Sequence, residues 1–303
     1  MLDDLKQRFS HPQVRFYQHD QLIMIELNNR HGSATLTTHG GTLLGYRPAG
    51  GEEVIWLSET AVYDGSKPVR GGVPICWPWF GPYDPQGMGE DPTDAAKKAH
   101  GVARYELWDV ASVRSLAGDA TEMILQLEPN DSIRQAWPWP FVLKLIVTLG
   151  EILTLELIGE NRSDRDWVVS EAFHTYFRVA HADGLTLEGM DNATYIDKRR
   201  DGQRFIQSGP LQVSMPMDCV YVDHPHQVTL DDHGNQRQIV MQKTHSLSTV
   251  VWNPGAEGAK GFADMPDDQY MHMVCVEAAN ALDNTYTLRA GELHRMAMTL
   301  TVR

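Results

Sequence analysis

A handful of short stretches hold the side chains able to move protons or grip an anion. Ser170-Glu171-Ala-Phe-His174-Thr-Tyr176-Phe sets a histidine among aromatics. Histidine is the side chain best suited to proton transfer near neutral pH, although a packed, hydrogen-bonded ring would fit the same setting. Met273-Val-Cys-Val-Glu277-Ala-Ala-Asn280 ends an apolar run on a carboxylate. Burying an unpaired charge is costly, so Glu277 needs a partner or a job, and desolvation would give it the basicity of a general base. A strand end that has reached solvent is the plainer alternative. In His100-Gly-Val-Ala-Arg104 a strand running through Arg104 would point His100 and Arg104 to one side, a neutral donor beside a cation. Asp218, at the start of a strand, could accept from sugar hydroxyls or hold a turn.

The stretch Pro68-Val-Arg70-Gly-Gly-Val-Pro-Ile-Cys-Trp77-Pro-Trp79-Phe80-Gly81 puts one arginine at the head of a stiff loop with an aromatic wall. A planar guanidinium holds a dianion through several hydrogen bonds. A rigid loop packed on its own tryptophans would read the same way. Taken together, a carboxylate, a histidine and two arginines suit a proton swap across a sugar ring. A base takes the proton of the anomeric hydroxyl, an acid protonates the ring oxygen, and the opened sugar recloses as the other anomer. The arginines would clamp a phosphate at the far end. An epimerase of free aldoses would leave the arginines without a purpose, and a carbohydrate-binding module would not need an acid–base pair. A glycoside hydrolase would want two carboxylates.

The elements that must position these groups read as strands. Phe141, Leu143, Leu145, Val147 and Leu149 alternate, Gly150-Glu151 turns, and Leu153, Leu155 and Leu157 alternate again, which predicts a β-hairpin with one face in the core. Met296, Met298, Leu300 and Val302 repeat the pattern at the end of the chain. Shorter strands are expected at Gln21–Leu27, Ala34–Thr38, Val54–Leu57 and repeatedly from Glu106 onward, after a short helix over Leu2–Phe9. A polar segment from Tyr83 to Ala99 is a candidate flap over a site or a plain surface loop. No βαβ rhythm appears. The expected fold is all-β, a large antiparallel β-sandwich with few short helices, spanning residues 1–303 as one domain.

Composition narrows the function. A formal net charge of -14 over 303 residues argues against a binder of nucleic-acid backbone, so an anionic substrate must be captured by a few local cations. The three cysteines show no CxxC spacing, and a reducing, cytoplasmic setting is the simpler expectation. No apolar run approaches the roughly 18 residues of a membrane span, so no membrane partner is expected. No heptad suggests a coiled-coil assembly, and a monomer is the expectation. P-loop, GxSxG, HExxH and dinucleotide-binding signatures are missing, and no cofactor is expected. Of the histidines, His224-Pro-His226 comes closest to a ligand pair, and no metal is expected.

Arg70-Gly-Gly-Val-Pro with its Trp-Phe-Gly tail, His100-Gly-Val-Ala-Arg104, Glu171-Ala-Phe-His174-Thr-Tyr-Phe, Asp218 and Glu277-Ala-Ala-Asn resemble, in order, the motifs of hexose-6-phosphate mutarotases. These are glucose-6-phosphate 1-epimerases, relatives of the aldose 1-epimerases with a galactose-mutarotase-like sandwich (supersandwich). The resemblance implies His174 as general acid and Glu277 as general base. It implies Arg70 and Arg104 on the phosphate of a sugar-phosphate substrate, His100 lining the sugar site and Asp218 on sugar hydroxyls. Two positions depart from the family pattern: Trp79 and Ala99 stand where many relatives carry Gln.

Overall fold

The hairpin forms where the alternation places it. Phe141–Leu149 and Leu153–Asn161 pair antiparallel from end to end. Phe141, Leu143, Leu145, Val147 and Leu149 are all buried, as are Leu153, Leu155 and Leu157. Each such side chain removed from water contributes about 1.5–3 kcal/mol, which is why a period-two pattern decides which face turns inward. The closing strand Leu293–Val302 lies along Leu153–Asn161 and adds Met296, Met298 and Leu300 to the same layer. The structure is a computed structural model and describes residues 1–83 and 98–303. Most of the expected flap, 84–97, therefore lies outside the described residues.

Two large sheets face each other. One is nine-stranded, with the hairpin and the closing strand in its middle. The other is eight-stranded and runs Gln203–Ile206, Thr194–Asp197, Met217–Val222, Ser248–Asn253, Met273–Asn280, Glu171–Phe173 and Ile75–Cys76, with Tyr176–Arg178 also on Met273–Asn280. Side chains bridge the layers: the Thr175 hydroxyl reaches Met298 Sδ at 3.5 Å and Asn280 Nδ2 reaches Met296 Sδ at 3.8 Å. A four-stranded meander, Val14–His19, Leu22–Asn29, Gly32–Thr37 and Thr42–Pro48, extends the core with Phe16, Ile25, Leu27, Leu36 and Leu43. Every ladder between these strands is antiparallel. The opening helix spans Leu2–Arg8.

Two local expectations are corrected. Val54–Leu57 makes single bridges, Ile55 to Phe177 and Leu57 to Gly71, instead of a ladder. His100–Arg104 is not a strand. His100 and Gly101 both have positive φ, 66° and 81°, and the chain passes into a 3-10 turn over Ala103–Tyr105. A Cβ at Gly101 would sit 2.0 Å from the Trp77 carbonyl oxygen, so this close crossing admits only glycine.

Candidate active site

The site lies on the face of the eight-stranded sheet that turns away from the nine-stranded one. Alternation along Met273–Asn280 sends Val274, Val276 and Ala278 into the core between the sheets and Cys275 and Glu277 to the other side. Cross-strand register builds out the face: Val250 lies opposite Glu277, Trp252 opposite Cys275, and Asp218 opposite Trp252. Glu277 thus sits inside a strand that continues to Asn280, only 1 % exposed, and the strand-end alternative is excluded.

His174 comes from the neighbouring strand. Glu171–Phe173 pairs with Met273–Asn280 so that Phe173 faces Ala278, and Tyr176 faces Cys275 in the same register. His174 therefore falls opposite Glu277. Its backbone N–H donates to the Pro74 carbonyl at 3.0 Å, its ring stacks on Tyr176 with centroids 4.9 Å apart, and Nε2 lies 3.5 Å from Glu277 Oε1. Burial pushes Glu277 well above the usual carboxylate range, with the charge of Asp218 adding to it. Burial also pushes His174 well below an ordinary imidazole, helped by His100 and Arg104. Both shifts work toward a neutral imidazole beside a neutral carboxylic acid.

His100 sits beside this pair, its ring 5.4 Å from that of His174. Its Nδ1 accepts from the Gly81 N–H at 3.2 Å, which assigns the ring proton to Nε2. Burial, then Arg104 and Lys198, bring His100 down to about 3, so it is a neutral donor. The reversal at Gly101 carries the chain into the turn that holds Arg104, so the turn achieves what the expected strand would have. The Nε of Arg104 is buried with no hydrogen-bond partner among the described residues.

Arg70 is held from several sides. Its carbonyl accepts from Ser58 N–H at 3.0 Å, Nε donates to Asp264 Oδ1 at 3.1 Å, and the guanidinium lies 4.3 Å over the Phe262 ring. A cavity of about 350 Å³ joins Arg70, His100, Arg104, His174, Asp218 and Glu277. All six side chains singled out from the sequence thus line one space.

Its wall differs from the one expected. Trp77 and Trp79 point into the core; Trp79 packs on Tyr83 and Trp137 and donates from Nε1 to the Lys98 carbonyl at 3.0 Å. Of the loop's aromatics only Phe80 lines the cavity, with Tyr105, Tyr176, Trp252 and Phe262 supplying the rest. The departure at position 79 is thus a core residue, whereas Ala99 does face the cavity. Sequence reasoning missed Lys198, whose Nζ lies 3.8 Å from Asp218 Oδ1, and Asp264, which binds Arg70 and pairs with Lys67 at 2.9 Å. Their only signal was an unexplained Lys-Arg-Arg run and an acid before Met-Pro.

His174, Cys275 and Glu277 offer nitrogen, sulfur and oxygen ligand atoms within 4.8 Å of one another, a set able to hold a metal ion. Burial raises the Cys275 thiol well above its usual range, so metal binding would have to displace a firmly held proton. His224 is committed elsewhere, to the Thr249 hydroxyl at 2.9 Å and the Gly189 carbonyl at 2.8 Å. Among the described residues no helix is long and apolar enough to cross a membrane.

The model of the family described as aldose 1-epimerase matches residues 24–301. The chain belongs to the aldose 1-epimerase family. An Escherichia coli K12 member, named "Putative glucose-6-phosphate 1-epimerase", is 31 % identical over 91 % of this chain and 89 % of its own. A Cenchrus ciliaris protein of the same name is 30 % identical over 90 % of this chain and 82 % of its own. Among solved structures, a Salmonella typhimurium protein described as a "putative mutarotase" superposes with a TM-score of 0.85 at 29 % identity, covering 97 % of this chain and 94 % of that one. A galactose mutarotase-like protein of Clostridium acetobutylicum, 14 % identical with a TM-score of 0.75 over 96 % and 98 % of the two chains, shares the fold. This chain and the two solved structures share one fold, and the activity is an isomerisation of sugars.

Proposed function

We propose that this aldose 1-epimerase interconverts the anomers of hexose 6-phosphates, glucose 6-phosphate foremost. The observation that carries the reading is the cation set around the acid–base pair. Arg70, Arg104 and Lys198 line the cavity of a protein whose net charge is -14. A neutral sugar offers such a cluster only hydroxyl acceptors, whereas a phosphate dianion also matches its charge. The names of the E. coli and Cenchrus ciliaris relatives support the same substrate.

In the proposed reaction Glu277 takes the proton of the C1 hydroxyl while His174 delivers one to the ring oxygen. The C1–O5 bond breaks, the C1–C2 bond of the aldehyde rotates, and the reverse transfers close the ring on the other face. Ring opening leaves His174 neutral and Glu277 protonated, which is the arrangement that burial favours. The resting pair is thus set for the open-chain intermediate. A bound phosphate would offset the arginines that hold His174 down and ease the proton back to the imidazole. His100, a neutral donor, and Asp218 would hold the sugar hydroxyls.

The direct test is NMR exchange between the anomers of glucose 6-phosphate, with glucose and galactose as controls. Acceleration is expected for the phosphorylated sugar above both. No acceleration of any sugar by folded protein would end the enzymatic reading, and equal acceleration of all three would end the clamp. Asp264→Asn should leave kcat nearly intact and raise KM for the phosphosugar about tenfold, since a hydrogen bond to a charged group contributes about 1.5–3 kcal/mol. An unchanged KM in saturation kinetics would mean that Arg70 does not depend on Asp264.

A further inference from the structure

We infer that Glu171 and Asn280 are positioning residues, a buried hydrogen-bonded pair that pins the register in which His174 and Glu277 face each other. The inference rests on the acid–base reading of those two groups. Both pairs belong to one ladder. Glu171 lies opposite Asn280, Ala172 opposite Ala279 and Phe173 opposite Ala278, and the register resumes with Tyr176 opposite Cys275. His174 and Glu277 occupy the gap between. Because side chains alternate, Glu171 and Asn280 fall on the opposite face of the sheet from the reacting pair, between the two large sheets.

There Asn280 Nδ2 donates to Glu171 Oε1 at 3.0 Å and to the His245 carbonyl at 2.8 Å, while its Oδ1 accepts from the Leu247 N–H at 2.9 Å. His294 Nε2 lies 3.0 Å from the same Glu171 oxygen. Glu171 is 1 % exposed and Asn280 3 %. Neither lines the sugar cavity, so any effect on the reaction must pass through other residues.

The gap is where a ladder needs such a device. The His174 N–H points to the other neighbour, at Pro74, the Thr175 N–H turns back to Phe173, and a single backbone bond, Val276 N–H to the Thr175 carbonyl at 3.2 Å, crosses between the two stretches of ladder. Of the side chains that face one another there, only Phe173 is large, and Ala172, Ala278 and Ala279 are too small to interlock. Backbone pairing on this side of the reacting residues therefore spans only Glu171–Phe173. A slip by one residue would turn Glu277 into the core and leave the Glu171 carboxylate and the Asn280 amide without each other, a costly outcome in a buried layer. One register satisfies both faces at once.

The test measures anomer exchange in the full chain, on whichever hexose the wild type turns over. Asn280→Asp sets two acceptors face to face. It is expected to lower kcat about 10–100-fold, the scale of a small misplacement of reacting groups. KM should stay within about twofold, because the arginines sit on other segments. The double variant Glu171→Gln/Asn280→Asp restores a donor–acceptor pair of reversed polarity and should recover most of kcat. A purely architectural pair would lower the melting temperature and the folded fraction while leaving kcat per folded molecule unchanged, and that result overturns the inference. So does a double variant no faster than the single one. If Asn280→Asp does not fold, Glu171→Gln and Glu171→Met are compared. Gln keeps an acceptor for Asn280 and Met keeps only the volume, so equal kcat in the two overturns the role. Wild-type protein without exchange would bring down the acid–base reading and this inference with it; a fast Asn280→Asp variant removes this inference alone.

Discussion

Glu277→Gln is expected to lower catalysed anomer exchange by about 10²–10⁴-fold, the usual contribution of one positioned base, while the protein becomes more stable at alkaline pH. Both effects have one cause. The carboxyl lies inside a fully buried strand, its Oε2 has no hydrogen-bond partner among the described residues, and burial raises it well above an ordinary carboxylate. The sign follows from linkage. As pH rises from the ordinary carboxylate range toward the raised folded value, the unfolded chain gives up this proton and the folded chain keeps it. Glu277 therefore costs stability progressively across that window, and the cost stays constant above it. Glutamine has no proton to lose. The variant should match wild type near about pH 3.3, where the carboxyl is largely neutral in both states, and melt higher near about pH 8. Exchange measured by NMR and melting followed across that range test the two halves separately. A variant that keeps its exchange rate removes Glu277 as the base. One that gains no stability with pH shows that the carboxyl is not held neutral by its surroundings.

That the carboxyl proposed as the base sits inside a strand marks the boundary of what the sequence discloses. The Phe141–Leu149 hairpin and the closing strand were legible because burying one face repeats every second residue, and the chain records that repeat directly. The six side chains that line the cavity could be picked out because few residue types can do acid–base or phosphate chemistry, and each stands in a short stretch that can be read locally. Register is different in kind: that His174 lies opposite Glu277 follows from pairing between residues a hundred positions apart, which no local pattern encodes. The same holds for Asp264 and Lys198, brought to Arg70 and Asp218 by folding alone. At His100–Arg104 strand alternation does not hold, because Gly101 crosses close to the Trp77 carbonyl in a left-handed turn. Trp77 and Trp79 were misplaced because an aromatic in a loop and one in a core look identical in sequence.

Replacing Arg104 by alanine should weaken glucose 6-phosphate by about 2–5 kcal/mol in kcat/KM and, at the same time, quicken exchange of unphosphorylated glucose. The first half is the loss of a partner for a desolvated dianion. Arg104 should matter more than Arg70, whose charge is already shared with Asp264, itself shared with Lys67. The second half comes from the acid. After burial and His100, Arg104 is among the groups that hold His174 below an ordinary imidazole. Without a phosphate to offset that cation, a free sugar meets an imidazole that resists protonation. Removing the arginine lets His174 keep a proton to higher pH, so ring-oxygen protonation becomes easier for the substrate that never used the clamp. On this proposal binding and chemistry depend on the same charge, and one substitution should move the two substrates in opposite directions. Rates for both sugars in the Arg104→Ala protein decide the matter. An equal loss on glucose and glucose 6-phosphate would assign Arg104 to the architecture of the cavity and leave the phosphate without its clamp.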